Sequence, residues 1–137
     1  MELFFGIVAL LVGVYGFARY ENLQKRKKVE AAFSGRESQT VEQFYESYFK
    51  AKGVPFRIIE GIRRILEVQL GADMSRLKDS DDFSKNLSFF WDFDSMADVE
   101  IACALEKEFN IKISDDEAVK AHTVNDIVSL VWRKLQK

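Results

Sequence analysis

The sequence predicts an all-α protein: one apolar N-terminal helix, one amphipathic helix, and then four further helices. Three observations carry that expectation. A charge-free apolar run opens the chain, later apolar residues recur at helical spacing between cap and stop residues, and no stretch alternates convincingly enough for a strand. With 137 residues the chain holds one domain and an appendage, but not two ordinary domains. Apolar residues at 47% permit a packed core, and 31% charged residues argue against wholesale disorder. The net charge of −2 argues against a nucleic-acid partner, since a general binder carries a basic excess. That charge is unevenly spread, +2 over residues 1–53 and −4 over residues 54–137. A single cysteine, Cys103, excludes an intrachain disulfide framework, and a single histidine, His122, argues against a Cys/His zinc site.

The first element runs from Leu3 to Ala18, 16 residues without a charge. As a helix it spans about 24 Å, slightly less than a bilayer core, and Glu2, Arg19 and Tyr20 suit the flanking interface positions. A cleaved signal peptide is disfavoured: Met1 and Glu2 place no basic side chain before the run, and no clear cleavage site follows it. A buried core helix of a soluble protein is the other alternative. The downstream run Lys25, Arg26, Lys27 and Lys28 holds its side in the cytoplasm by the positive-inside rule. Residues 1–20 are therefore expected to form a single-pass transmembrane anchor with the N-terminus outside. Gly6, Ala9, Gly13 and Gly16 share one face, which suits close approach of a second membrane helix, although the general abundance of glycine in such helices is the simpler account.

Residues 21–53 read as a basic juxtamembrane segment, a linker and an amphipathic helix. Residues 19–36 carry six basic and two acidic side chains, suited to anionic membrane lipid or simply to fixing topology. Residues 35–39 are the linker candidate. Thr40 followed by Gln43 is a capping box, and Val41, Phe44, Tyr45, Tyr48 and Phe49 form a packing stripe that Gly53 ends. Residues 54–137 form the remaining domain. Pro55 opens its first helix, Gly71 closes it, and Phe56, Ile59, Ile62, Ile65, Leu66 and Leu70 supply its stripe. After a long connection over residues 72–94, a second helix spans residues 95–109. Its apolar residues Met96, Val99, Ile101, Cys103, Leu105 and Phe109 point several ways, so it is expected to be buried on more than one side. A short helix over residues 115–121 precedes a last one capped by Thr123 and Asp126, with Val124, Ile127, Val128, Val131 and Leu135 inward.

Catalytic signatures are absent: no HExxH, GxxxxGK[ST], GxSxG or GxGxxG occurs. Asp79, Asp81 and Asp82 hint at a calcium loop, but Phe83 stands where an oxygen ligand is needed, so an acidic turn is expected. His122 is expected at a surface or helix end, and Cys103 in the core. Asp94 is a good N-cap and Ser95 fits the first turn of the helix it opens; taken alone, the pair reads as an ordinary helix cap.

The C-terminal segment from Val54 resembles the acyl and peptidyl carrier proteins over about 80 residues, by signatures in the carriers' order. Gln69, Leu70 and Gly71 close the first helix as in those proteins, and Asp82, Phe83 and Leu87 follow their loop pattern. Asp94, Ser95 and Met96 stand for Asp-Ser-Leu, with Val99, Glu100 and Ile101 for Val-Glu-Leu. The stretch from Ala104 to Phe109 with Ile111 and Ile113, then Asp115 to Ala118, then Thr123 and Val124, completes the match. Two departures stand out. The link from Leu87 to Asp94 is longer than usual and lacks glycine, and Ala97 replaces the usual acidic residue.

The resemblance implies a four-helix acyl-carrier-like bundle and a carrier that is not itself an enzyme. Ser95 would receive a covalent 4'-phosphopantetheine from coenzyme A through a phosphopantetheinyl transferase. The arm would carry acyl or aminoacyl groups as thioesters between acyl-loading and acyl-accepting enzymes. Asp94, Met96, Asp98 and Glu100 are the expected cap and recognition residues. Residues 85–126 carry ten acidic and four basic side chains, a face suited to basic docking patches on those enzymes. Phe89, Phe90, Trp91 and Phe93 of the long link either pack locally or meet the arm or a partner. The alternatives are an unmodified carrier-like adaptor held at a membrane and an unrelated helical scaffold.

Overall fold

The computed structural model describes residues 2–136; Met1, with the charge reading placed on it, and Lys137 lie outside that range. Among the described residues seven α-helices follow in order: α1 Glu2–Ala32, α2 Val41–Tyr48, α3 Phe56–Leu70, α4 Phe90–Phe93, α5 Ala97–Phe109, α6 Asp115–Lys120 and α7 Val124–Leu135. A 3-10 turn at Lys50–Lys52 joins α2 to α3. Among the described residues the extended pairing is one isolated antiparallel bridge, Asp82 to Thr123, so the all-α expectation holds.

Local chemistry sets most boundaries where the sequence places them. Thr40 and Gln43 form both halves of the capping box at α2, and Thr123 and Asp126 do the same at α7. Ser114 and Glu117 form a third box, at α6, that the sequence reading overlooked. Gly71 ends α3 at φ 59°, a left-handed conformation that glycine adopts without a Cβ clash. Helix α6 stops one residue before the expected Ala121 because Ala121 leaves the helical region.

The core is built mainly by α3, α5 and α7. Helix α3 buries Ile58, Ile59, Ile62, Ile65, Leu66 and Leu70; Ile58 joins the expected stripe, while Phe56 sits half-buried edge-on to the Tyr45 ring. Gly61 is buried where α5 crosses, and a Cβ there would lie 2.7 Å from the Phe109 ring. Helix α7 contributes Val124, Ile127, Val128, Leu130 and Val131.

Helix α5 departs from expectation. It buries one face only, through Ala97, Ile101, Leu105 and Phe109 at intervals of four. Met96, Val99 and Cys103 face solvent, so Cys103 is an exposed free thiol and not a core residue. Met96, Val99 and Cys103, which suggested burial on a further side, belong to an exposed face beside the core-facing row.

Helix α1 is continuous from the apolar run through the basic collar, and by length and composition the helix is long and apolar enough to cross a membrane. None of that apolar window is buried within the chain. The far end of the helix behaves differently. Val29 is buried, Phe33 just beyond the helix is fully buried, and Lys25 Nζ donates to the Leu70 carbonyl at 3.1 Å. Phe44, with Phe49 just past the end of α2, joins the same cluster, so the core draws on residues either side of Gly53.

The segment over residues 36–40 is irregular yet pinned at several points. Gln39 N–H donates to the Ser75 carbonyl at 2.8 Å, and Arg63 Nη2 donates to the Gln39 carbonyl at 2.6 Å. Arg36 makes a two-pronged ion pair with Asp81, Nη1 to Oδ2 at 2.7 Å and Nη2 to Oδ1 at 2.9 Å. The fork-on-carboxylate geometry is the strong form of such a pair.

Candidate attachment site

The long connection between α3 and α5 ends in a one-turn helix, α4, that the expected connection over residues 72–94 does not contain. Its aromatic residues order it. Phe90 is buried, Phe89 lies against it with centroids 4.4 Å apart, and the Trp91 indole N–H donates to the Phe83 carbonyl at 2.8 Å. Trp91 also packs on the Phe83 ring at 5.8 Å. Phe93 is half-buried, with the Lys28 ammonium of α1 standing 5.9 Å from its ring centroid.

Asp94 follows at once in extended conformation, its N–H donating to the Phe90 carbonyl at 3.2 Å. Its carboxylate Oδ1 accepts the Met96 N–H at 3.0 Å, and its carbonyl accepts the Ala97 N–H at 3.2 Å. Asp94 therefore caps the turn that leads into α5. The helix itself begins at Ala97, two residues later than expected, and Ser95 occupies the turn before it. Ala97 is buried and fixes the helix start, while Ser95, Met96, Asp98, Val99 and Glu100 are exposed. The small Ala97 side chain fits a position that faces the core, which accounts for the absence of an acidic residue there.

Charges of both signs meet at this turn. Helix dipole and backbone donors make the start of α5 positive, and Asp98 and Glu100 in its first turn offset that charge. The Val99 N–H is taken by the Asp98 carboxylate at 2.8 Å. The exposed hydroxyl, reachable by a modifying enzyme, fits a covalently attached arm.

The other candidates lie apart from this turn or are structural. Asp81 is almost fully buried, held by Arg36, by the Asn86 amide at 3.0 Å and by the Lys78 N–H at 2.8 Å. Of the expected acidic turn only Asp79 lies in a turn; Asp82 pairs with Thr123 in the isolated bridge, and Asp81 is buried against Arg36, 45 residues away, a partner with no local signal. Asp82 is held below the usual carboxylate range, chiefly by the Ser84 hydroxyl and N–H. His122 is exposed at the start of α7, and its carbonyl accepts the Phe83 N–H at 2.8 Å. Among the described residues no group of His, Cys, Asp and Glu is placed to hold a metal ion. Glu117 is lowered to about 2, first by its hydrogen bond to Lys134 and then by the Ser114 N–H.

Known proteins align with this framework. The family described as "Phosphopantetheine attachment site" matches residues 60–131, from within α3 to within α7. An acyl carrier protein of Thermosynechococcus vestitus is 33% identical over 78 residues, covering 57% of this chain and 91% of that protein. An acyl carrier protein of Clostridium acetobutylicum is 35% identical over 74 residues, covering 54% of this chain and 91% of that protein. With its bundle, its exposed turn before α5 and these relatives, the chain belongs to the phosphopantetheine-binding acyl carrier family and takes a covalently attached 4'-phosphopantetheine.

Proposed function

We propose that the chain is a membrane-tethered acyl carrier whose arm is attached at Ser95. The observation that carries this reading is the exposed Ser95 in the Asp94-capped turn before α5, inside the matched region. When bound, the arm supplies a thiol that holds an acyl or aminoacyl group as a thioester. The chain's own part is presentation and recognition, not catalysis. Asp94 holds the turn so that the Ser95 hydroxyl stays outward. Exposed Met96 and Val99 give a transferase an apolar foothold, and Asp98 and Glu100 steer basic patches on phosphopantetheinyl transferase and on the loading and accepting enzymes. Residues 1–20 anchor the domain, with the carrier on the cytoplasmic side by the charge of the collar.

Intact mass after co-expression with a broad phosphopantetheinyl transferase tests the reading. One added arm that disappears in Ser95→Ala is the expected result. A chain left unmodified by both a broad and a dedicated transferase leaves the membrane-held adaptor as the function.

A further inference from the structure

Resting on that reading, we infer that α1 leaves the bundle at its Ser95 end, so that the carrier presents its thioester at the surface of the bilayer its anchor crosses. The partner it fits is an acyl-transferring enzyme whose reacting centre lies at that interface.

The direction follows from contacts in register. Helices α3 and α5 run antiparallel: Gly61 meets Phe109 and Arg64 pairs with Glu108, so the C-terminus of α3 and the start of α5 share one end. Lys25 bonds the carbonyl of Leu70 at that end, and Lys28 sits over Phe93, two residues before Ser95. Moving on along the chain, Arg63 bonds Gln39, two turns back along α3. The chain therefore arrives at the Ser95 end and proceeds away from it. Half-buried Glu21, Gln24 and Lys25 continue the packed face of α1 almost to the apolar run.

The distances are short. From Ala18, the last residue of that run, to Lys28 is about 15 Å along a straight helix, and to Lys25 about 10 Å. An extended pantetheine arm has the chain atoms of about five backbone residues and reaches roughly 17 Å. No flexible linker stands between the apolar run and these contacts, because α1 is unbroken to Ala32. A rigid tether fixes both height and facing, whereas a flexible one would let the arm sample all directions.

The experiment uses the full chain in phosphatidylcholine vesicles bearing headgroup-attached acceptor dye. A donor is placed on Ser95→Cys or, for comparison, on Ala51→Cys, an exposed site at the opposite end of α3, each combined with Cys103→Ser. The two ends of α3 are about 22 Å apart, and energy transfer at position 95 is expected to be at least about twofold higher than at position 51. Equal transfer, or more at position 51, overturns the inference. A chain that fails to enter vesicles overturns the anchor and the inference together.

Reach is read separately, with a coenzyme A analogue carrying a fluorophore at its thiol and loaded onto Ser95. Headgroup quenchers should dim the arm tip. Inserting two polar helical heptads between Tyr20 and Glu21 lifts the domain by about 21 Å nearly in phase and should abolish that quenching. Quenching that survives the insertion overturns the rigid tether. Close approach at position 95 in a chain that accepts no arm upholds the orientation and removes the carrier reading.

Discussion

Arg36 and Asp81 form a two-pronged ion pair between the segment after α1 and the loop after α3, with Asp81 almost wholly excluded from solvent. Removing one partner of such a pair strands the other. Arg36→Ala leaves the buried carboxylate without its counter-charge, held only by the Asn86 amide and the Lys78 N–H, and is expected to destabilise by about 3 kcal/mol. Arg36→Lys keeps the charge, loses the fork, and should fall between. Unfolding followed by circular dichroism in detergent micelles gives the order wild type, Lys, Ala; equal stability of all three would show that the pair holds nothing together.

Gly61 and Phe109 make a steric prediction. Alanine in place of glycine inside a helix gains about 1 kcal/mol from propensity. Here the added methyl would lie 2.7 Å from a buried ring that Arg57 also covers. Overpacking costs about 1–3 kcal/mol, so Gly61→Ala should be neutral to destabilising despite the better propensity. Phe109→Leu should relieve the clash, making the double variant more stable than the sum of the single changes. Additive effects in that cycle would place the ring out of reach of position 61.

Glu117 makes the pH prediction. Its carboxyl lies at about 2 in the folded chain against an ordinary 4.5, because Lys134 and the Ser114 N–H favour the charged form. A lowered carboxyl adds stability above its unfolded value and loses it as the pH falls through its folded one. Glu117→Gln should therefore lower the melting temperature at pH 7, and the gap to wild type should close between about pH 4.5 and pH 2. The Glu117 side chain is half-buried and still reaches solvent, so added salt should shrink the gap at pH 7. A gap that is constant across this range would show that the effect does not come from the charge of Glu117, since glutamine can keep the capping box.

Cys103 faces solvent on α5. The folded chain should react with a maleimide to completion without denaturant, and at a rate close to that of the unfolded chain. Labelling that waits for unfolding would put the thiol back in the core.

Much of this protein was legible locally. Thr40 with Gln43 and Thr123 with Asp126 are pairs three residues apart whose hydrogen bonds close within one turn, so reading them needs no tertiary information. The stripe on α3 was nearly complete for the same reason. Cys103 and Ile58 were misjudged because hydropathy reports which residues prefer burial, not which face a neighbour covers. Helix α4 was missed because Phe90 and Trp91 are held by the core and by the Phe83 carbonyl, not by their own propensity.

By itself the sequence determined the longer helices, the caps of α2 and α7, an apolar run fit for a membrane, and the ordered signatures of a carrier family, all properties of neighbouring residues. Tertiary structure alone decided that Arg36 meets Asp81, that Val29 and Phe33 enter the carrier core, and that α1 departs beside Ser95. Those contacts join residues far apart in the chain, and their partners are chosen by packing and by the burial of charge, which no local window contains.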